Sequence, residues 1–119
     1  MGSFFNDASV QALRNGLDAA WLRQQISSHN IANSETPGFK AKSVSFKKVL
    51  DQAQSDADTK VYTYEPVIKT DDTASIRPDG NNVNTEKEEL ELWDAYYQYS
   101  ALTKRVTGKL STLRYVIQN

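Results

Sequence analysis

The chain has no cysteine, a single histidine and only three prolines in 119 residues. Without cysteine there is no disulfide framework and no thiolate-held zinc or iron–sulfur centre. With His29 alone, His-rich zinc triads and Cys/His dyads are excluded, and a Ser/His/Asp triad would have to use that one ring. Net charge is nearly absent as well. Fourteen Lys and Arg stand against fifteen Asp and Glu, leaving −1, so bulk positive charge is not available to hold nucleic acid. No apolar run approaches the ~20 residues of a membrane span, and integral membrane insertion is not expected. The opening residues MGSFFNDAS lack a basic stretch followed by an apolar one, so no Sec-type signal peptide is expected. No catalytic, cofactor-binding or metal-binding set emerges. At this length the chain makes one domain, expected to assemble rather than to react.

What the chain does have is two stretches of helix periodicity around a middle that holds all three prolines (Pro37, Pro66, Pro78). It divides into an N-terminal helical segment, 1–33, a loop-rich middle with short strands, 34–85, and a C-terminal helical segment, 86–119. In the first, Val10, Leu13, Leu17 and Ala20 form an apolar stripe that Trp21 widens, with Leu22 and Ile26 beside it. Asp7 or Ser9 can cap the helix start, and Asn33, Pro37 and Gly38 supply the stop. Gly16 reads as an internal weak point, costing about 1 kcal/mol relative to alanine.

The last segment carries a heptad seam: Leu92, Tyr96, Tyr99, Thr103, Val106, Leu110, Leu113 and Ile117, broken once at Thr103 with Leu102 beside it. Asn84 or Thr85 is the expected cap, with Glu88 placed to complete a capping box from Thr85. Acids crowd the start of this helix (Glu86, Glu88, Glu89, Glu91, Asp94) and bases its end (Lys104, Arg105, Lys109, Arg114), the polarity a helix dipole favours. The fold class expected is mainly α: two long terminal helices form a coiled-coil-like core around an irregular middle with short β-strands. Helices this long cannot bury their seams on so polar a middle. The seams pair with each other, as an antiparallel pair, or with other chains.

In the middle, 61–64 and 67–69 read as two short strands split by Glu65-Pro66, and 75–77 as a candidate third. The stretch 45–50 reads as a helical turn or an edge strand, and 51–59 as a polar loop. His29 reads as a polar surface residue, Asp71-Asp72 and Glu88-Glu89 as solvated charge, and the aromatics Trp93, Tyr96, Tyr97 and Tyr99 as packing. The segment 28–42, SHNIANSETPGFKAK, is more specific. Asn30 and Asn33 sit where their amides can bond helix-end carbonyls or a neighbouring chain. Thr36-Pro37-Gly38 fits a tight turn with glycine at the position that needs positive φ.

Asn30-Ile31-Ala32-Asn33 followed by Thr36-Pro37-Gly38-Phe39-Lys40 resembles the N-I-A-N … T-P-G-Y/F-K/R motif of the flagellar axial proteins, the rod, hook and hook-associated subunits. Gly80-Asn81-Asn82-Val83-Asn84 before an acidic helix is similar to that family's C-terminal G-N-N-V-D/N. The tail from Leu110 to Ile117 is similar to the end of a proximal rod member. The longer proline-rich insertion of the sister rod protein FlgC is absent. The resemblance implies a structural subunit with no enzymatic activity and no cofactor. It implies export through the flagellar type III apparatus without a cleaved signal, and a place in the periplasm-crossing rod that transmits torque. The implied partners are further copies of the chain, FlgC, FlgF, the adaptor FliE and, through it, the MS ring and export gate. The candidate interface residues are Leu13, Leu17, Asn30, Ile31, Asn33, Pro37, Gly38, Phe39, Asn82, Val83, Leu92, Tyr96, Tyr99, Val106, Leu110, Leu113 and Ile117. A different class, a small helical export chaperone or adaptor that binds through an amphipathic helix, would share this composition.

Overall fold

The computed structural model describes residues 8–52 and 55–118. Helix α1 (Ala8–Ala32) leads to strands β1 (Lys42–Leu50) and β2 (Tyr62–Thr70), and helix α2 (Thr85–Gln118) closes the chain. The fold is thus mainly α, with two long end helices and one two-stranded antiparallel sheet between them. The helices run about 37 and 51 Å at 1.5 Å per residue. Asp7 and the side chain of Ser9, the expected caps of α1, lie outside the described residues. At α2 the cap is Asn84. Its Oδ1 accepts from Lys87 N at 3.2 Å, and its carbonyl accepts from Glu88 N at 3.0 Å. Thr85 is therefore already helical, and the expected Thr85–Glu88 capping box is not formed.

The helices pack antiparallel. Arg23 of α1 donates to Gln98 (2.8 Å), Asp94 (2.8 Å) and Glu91 (3.1 Å) near the start of α2. Leu102 lies over Gly16 farther along. The α2 residues turned toward α1 are Glu88, Leu92, Ala95, Leu102, Val106, Lys109 and Leu113, all buried or half-buried, with Tyr99 at their edge. This seam keeps Leu92, Tyr99, Val106 and Leu113 of the expected heptad but replaces its other row by the preceding residues. Ala95 is 0% exposed where Tyr96 is 51% exposed. The apparent break at Thr103 vanishes, because Leu102 is the residue in the seam. Thr103 instead donates its hydroxyl to Tyr99 O, one turn back, at 2.8 Å.

Close approach is the reason for the shift. Ala20 on α1 is buried, as is Ala95 on α2. Gly16 corrects its sequence reading: it is where Leu102 seats. A Cβ built at Gly16 would stand 3.0 Å from Leu102 Cδ1, so the helix-propensity cost of glycine admits a core side chain. Gly16→Val should therefore cost about 1–3 kcal/mol through overpacking. The check is urea unfolding, with a lower midpoint at unchanged slope expected; an unchanged midpoint would contradict the seating.

The strands of the middle form one hairpin, with bounds longer than those read from the sequence. β1 and β2 pair over all nine residues each, from Lys42↔Thr70 to Leu50↔Tyr62. Thus 45–50 is strand, Glu65-Pro66 does not split β2, and 75–77 is a bent loop. Pro66 is accommodated by register. Asp51 N donates to Val61 O and Asp71 N to Ala41 O, both at 2.8 Å. Counting inward from these hydrogen-bonded pairs, Phe46↔Pro66 is a pair without ladder bonds, so the missing N–H faces away from β1. In the connecting loop Val61 N donates to Ser55 Oγ at 2.9 Å, and Thr59 N to Asp56 Oδ1 at 2.6 Å. Lys48 sits over the Tyr62 ring, 4.3 Å from its centroid, a diagonal cross-strand pair.

The hairpin lies beside α1 and the two helices beside each other, so the molecule is a plank of 65 × 37 × 14 Å. Its radius of gyration is 19.0 Å, where a compact chain of this length gives about 13–14 Å. Stable domains normally bury their apolar faces between two layers. Here there is one.

Candidate functional site

Two features could carry function: a hydrogen-bonded clasp that joins the end of α1 to the start of α2, and the outward faces of the helices.

The clasp is built from asparagine side chains acting as substitute backbone. Asn30 and Asn81 are the largest fully buried side chains among the described residues. Asn30 donates Nδ2 to Lys42 O at 2.7 Å and accepts from Lys42 N at 2.9 Å, the pairing a neighbouring strand would offer. Asn81 donates Nδ2 to Asn33 O (2.8 Å) and Thr36 O (2.9 Å) and accepts from Val83 N at 2.8 Å. Asn82 accepts from Ala41 N at 2.7 Å and donates to Asp71 O (2.8 Å) and Thr73 O (3.1 Å). Three amides thus satisfy backbone groups at the end of α1, the root of the hairpin and the approach to α2. Asn33 serves more locally. It donates to His29 O at 2.9 Å and accepts from Thr36 Oγ1 at 3.1 Å, closing the helix end.

Two glycines let the strands of the clasp meet. Phe39 N donates to Thr36 O at 3.2 Å and Gly38 has φ +74°, the tight turn expected from Thr36-Pro37-Gly38. Gly80 has φ +81°, and a Cβ there would lie 3.6 Å from Gly38 Cα, so the two turns stand back to back. Gly38 N donates to Asp79 O (2.7 Å), Asn82 N to Phe39 O (3.3 Å) and Lys40 Nζ to Gly80 O (2.8 Å). Arg77 fastens the rim. Its guanidinium donates to Ser34 O at 2.6 Å and to Asp79 at 2.8 Å, with Glu35 3.6 Å away. The Asp71 carboxylate is held below its ordinary pKa by hydrogen bonds from the Thr73 hydroxyl and amide.

The sequence-selected residues fall into two groups. Leu13 and Val83 are buried, and Leu17, Ile31, Leu92, Val106 and Leu113 half-buried, within the chain. Asn30 and Asn82 bond inside the clasp. Phe39 is half-buried with its ring edge-on to His29 at 5.6 Å. Pro37, Gly38, Tyr96, Tyr99, Leu110 and Ile117 are exposed. Asn30 is fully buried and spends its amide on the backbone of Lys42. Arg77, Asp79 and Asn81 are not among the candidate interface residues read from the sequence. Asp79 and Asn81 entered only as part of the turn signal Asp79-Gly80-Asn81-Asn82 before the second helix, and Asn81 also through the G-N-N-V string.

The outward face of α2 is markedly apolar. Trp93, Tyr96 and Tyr97 form a three-ring cluster with centroids 6.0–6.2 Å apart. Leu90 lies one turn before Trp93 and is 72% exposed. The chain exposes 8704 Å², about a third more than the roughly 6,500 Å² of a compact monomer of this mass. Monomeric soluble proteins rarely expose large contiguous apolar patches. Among the described residues no helix is long and apolar enough to cross a membrane.

No protein-family model matches the chain. Curated relatives do. The flagellar basal body rod protein FlgB of Bacillus subtilis (strain 168) is 37% identical over an alignment covering 92% of each chain. FlgB of Escherichia coli (strain K12) is 24% identical over 95% of each chain. FlgB of Aeromonas hydrophila is 28% identical over 76% of this chain and 78% of its own. The motif residues that pointed to flagellar axial proteins are the ones that build the clasp. With more than a third of its residues shared across nine-tenths of both chains, this protein belongs to the FlgB family of flagellar basal body rod proteins.

Proposed function

We propose that the chain is a structural subunit of the proximal part of the bacterial flagellar rod. It polymerises through the outward faces of its two terminal helices into the drive shaft that transmits torque. The observation that carries this reading is the single-layer build. A plank 14 Å thick with an exposed aromatic cluster is half of a packed structure, and the other half is supplied by neighbours. The clasp fits a torque-bearing role. It ties both helices and the hairpin root into one joint through hydrogen bonds whose partners are distant in sequence. The neighbours in this reading are other copies, FlgC and FlgF, with FliE bridging to the MS ring and export gate. Delivery is through the flagellar type III apparatus. No observation favours the export chaperone, which would present one partner-binding helix in a discrete cytoplasmic complex. The test is fractionation of basal bodies from cells producing the epitope-tagged chain. Enrichment in the rod fraction is expected; a chain confined to a soluble one-to-one complex would overturn the reading.

A further inference from the structure

One apolar side chain stands apart from both helices. Ile76, at the tip of the loop before α2, is fully exposed. Its neighbours on both sides are fastened: Ser75 donates its hydroxyl to Asn81 O, and Arg77 donates to Ser34 O at 2.6 Å. The tip is thus a pre-ordered apolar knob, which lowers the entropy cost of docking it. Its surroundings are acidic. Asp71 and Glu86 share its cleft with Glu35, which together with Asp79 meets the charge of Arg77, and Lys40 and Lys87 lie near enough to act on Asp71 without outweighing the acids.

Toward the other end of the helix pair lies a complementary hollow of about 360 Å³ between Val10, Leu13 and Leu17 of α1 and Val106 and Leu110 of α2. Its rim carries Arg14 and Lys109, with Asp18 the one acid, and Arg105 follows beside Lys109. The knob is rooted at Ser34, about 30 Å of helix from Leu13 and Leu17. It cannot reach the hollow of its own chain.

We propose that Ile76 of one copy docks into the Leu13–Leu17–Leu110 hollow of the next, its acidic collar against the basic rim. Knob and hollow are different patches of the same molecule, so the contact is heterologous and does not close on itself. It generates a staggered, open-ended array. This inference rests on the rod-subunit reading and specifies one contact within it.

The absence of native cysteine gives a direct test. Chains carrying Ile76→Cys and chains carrying Leu110→Cys are produced together, and isolated basal bodies and concentrated purified protein are oxidised. A disulfide requires β-carbons about 4 Å apart, so a bridge between these positions reports the contact. A dimer band is expected for this pair and not for Ile76→Cys with Lys69→Cys. Ile76→Asp, on an exposed tip that leaves the fold intact, should weaken self-association by about tenfold or more in sedimentation, and added salt should weaken the native contact. Self-association with no excess of the Ile76–Leu110 bridge over the control pair overturns the docking and leaves the rod subunit standing. Absence of the chain from basal bodies, together with no self-association at any concentration, overturns both.

Discussion

Asn81→Ala is expected to remove about 2–4 kcal/mol of folding stability, a large share of the ~5–15 kcal/mol a domain possesses. The amide is fully buried and serves two carbonyls and one N–H from three separate residues. Alanine leaves Val83 N without its partner, at about 1–3 kcal/mol, while the Asn33 and Thr36 carbonyls lose one bond each and keep those from Thr36 N and Phe39 N. Urea unfolding measures the loss. A decrease below about 1 kcal/mol would mean that the surrounding bonds, Gly38 N to Asp79 O among them, hold the joint without the amide. Asn81→Asp sharpens the test. The new carboxylate would still accept from Val83 N but would face the Asn33 and Thr36 carbonyls with negative charge, so its pKa in the folded state would rise. A carboxyl group raised on folding is penalised progressively as pH climbs from its unfolded value of about 3.9 through its folded value. This variant should therefore regain stability on acidification, and Asn81→Ala should not.

Trp93→Glu combined with Tyr97→Glu should abolish incorporation into the rod while leaving the fold unchanged. Both rings lie outside the α1–α2 seam and are more than half exposed. Exposed surface substitutions shift stability by within about 0.5 kcal/mol. At an interface, each lost aromatic forfeits roughly 1.5–3 kcal/mol of burial. A charge left unpaired there adds to the loss, so the pair should weaken association by about a thousandfold. The measurements are motility and rod recovery, set beside the thermal unfolding of the purified variant. Normal motility would remove this face from the assembly surface. A fall in melting temperature equal to that of a core variant would return the rings to the interior of the chain.

The two end helices were legible because their signal is internal: apolar spacing and charge polarity lie in the sequence and need no partner. Which side of α2 meets α1 was not. Tyr96 and Leu110 outrank Ala95 and Lys109 in hydrophobicity, so the eye follows the larger residues. Close helix packing selects the smaller ones, with Gly16 opposite Leu102. The greasier row was left for the outside. The strand through Pro66 was hidden because proline interrupts a ladder only where its nitrogen points at a partner, and that depends on register. The clasp was half legible. Asn30, Asn33 and Asn82 stood out by motif, as did the Pro37-Gly38 turn. Their partners are backbone carbonyls and amides at Lys42, Ala41 and Asp71, groups every residue possesses, so nothing in the sequence marks them.

The bond from Asp71 N to Ala41 O, 2.8 Å long, has a consequence beyond the hairpin it seals. It brings the two ends of segment 42–70 to one doorway at the foot of the clasp, and the hairpin beyond it lies beside α1. Whatever leaves through that doorway and comes back to it can change in size at its far end without disturbing the two helices. Lengthening a closed excursion costs only about 0.6 kcal/mol for each doubling. A single axial frame could thus bear outer ornaments of very different bulk, exchanged at Ala41 and Asp71 like fittings on a common spindle.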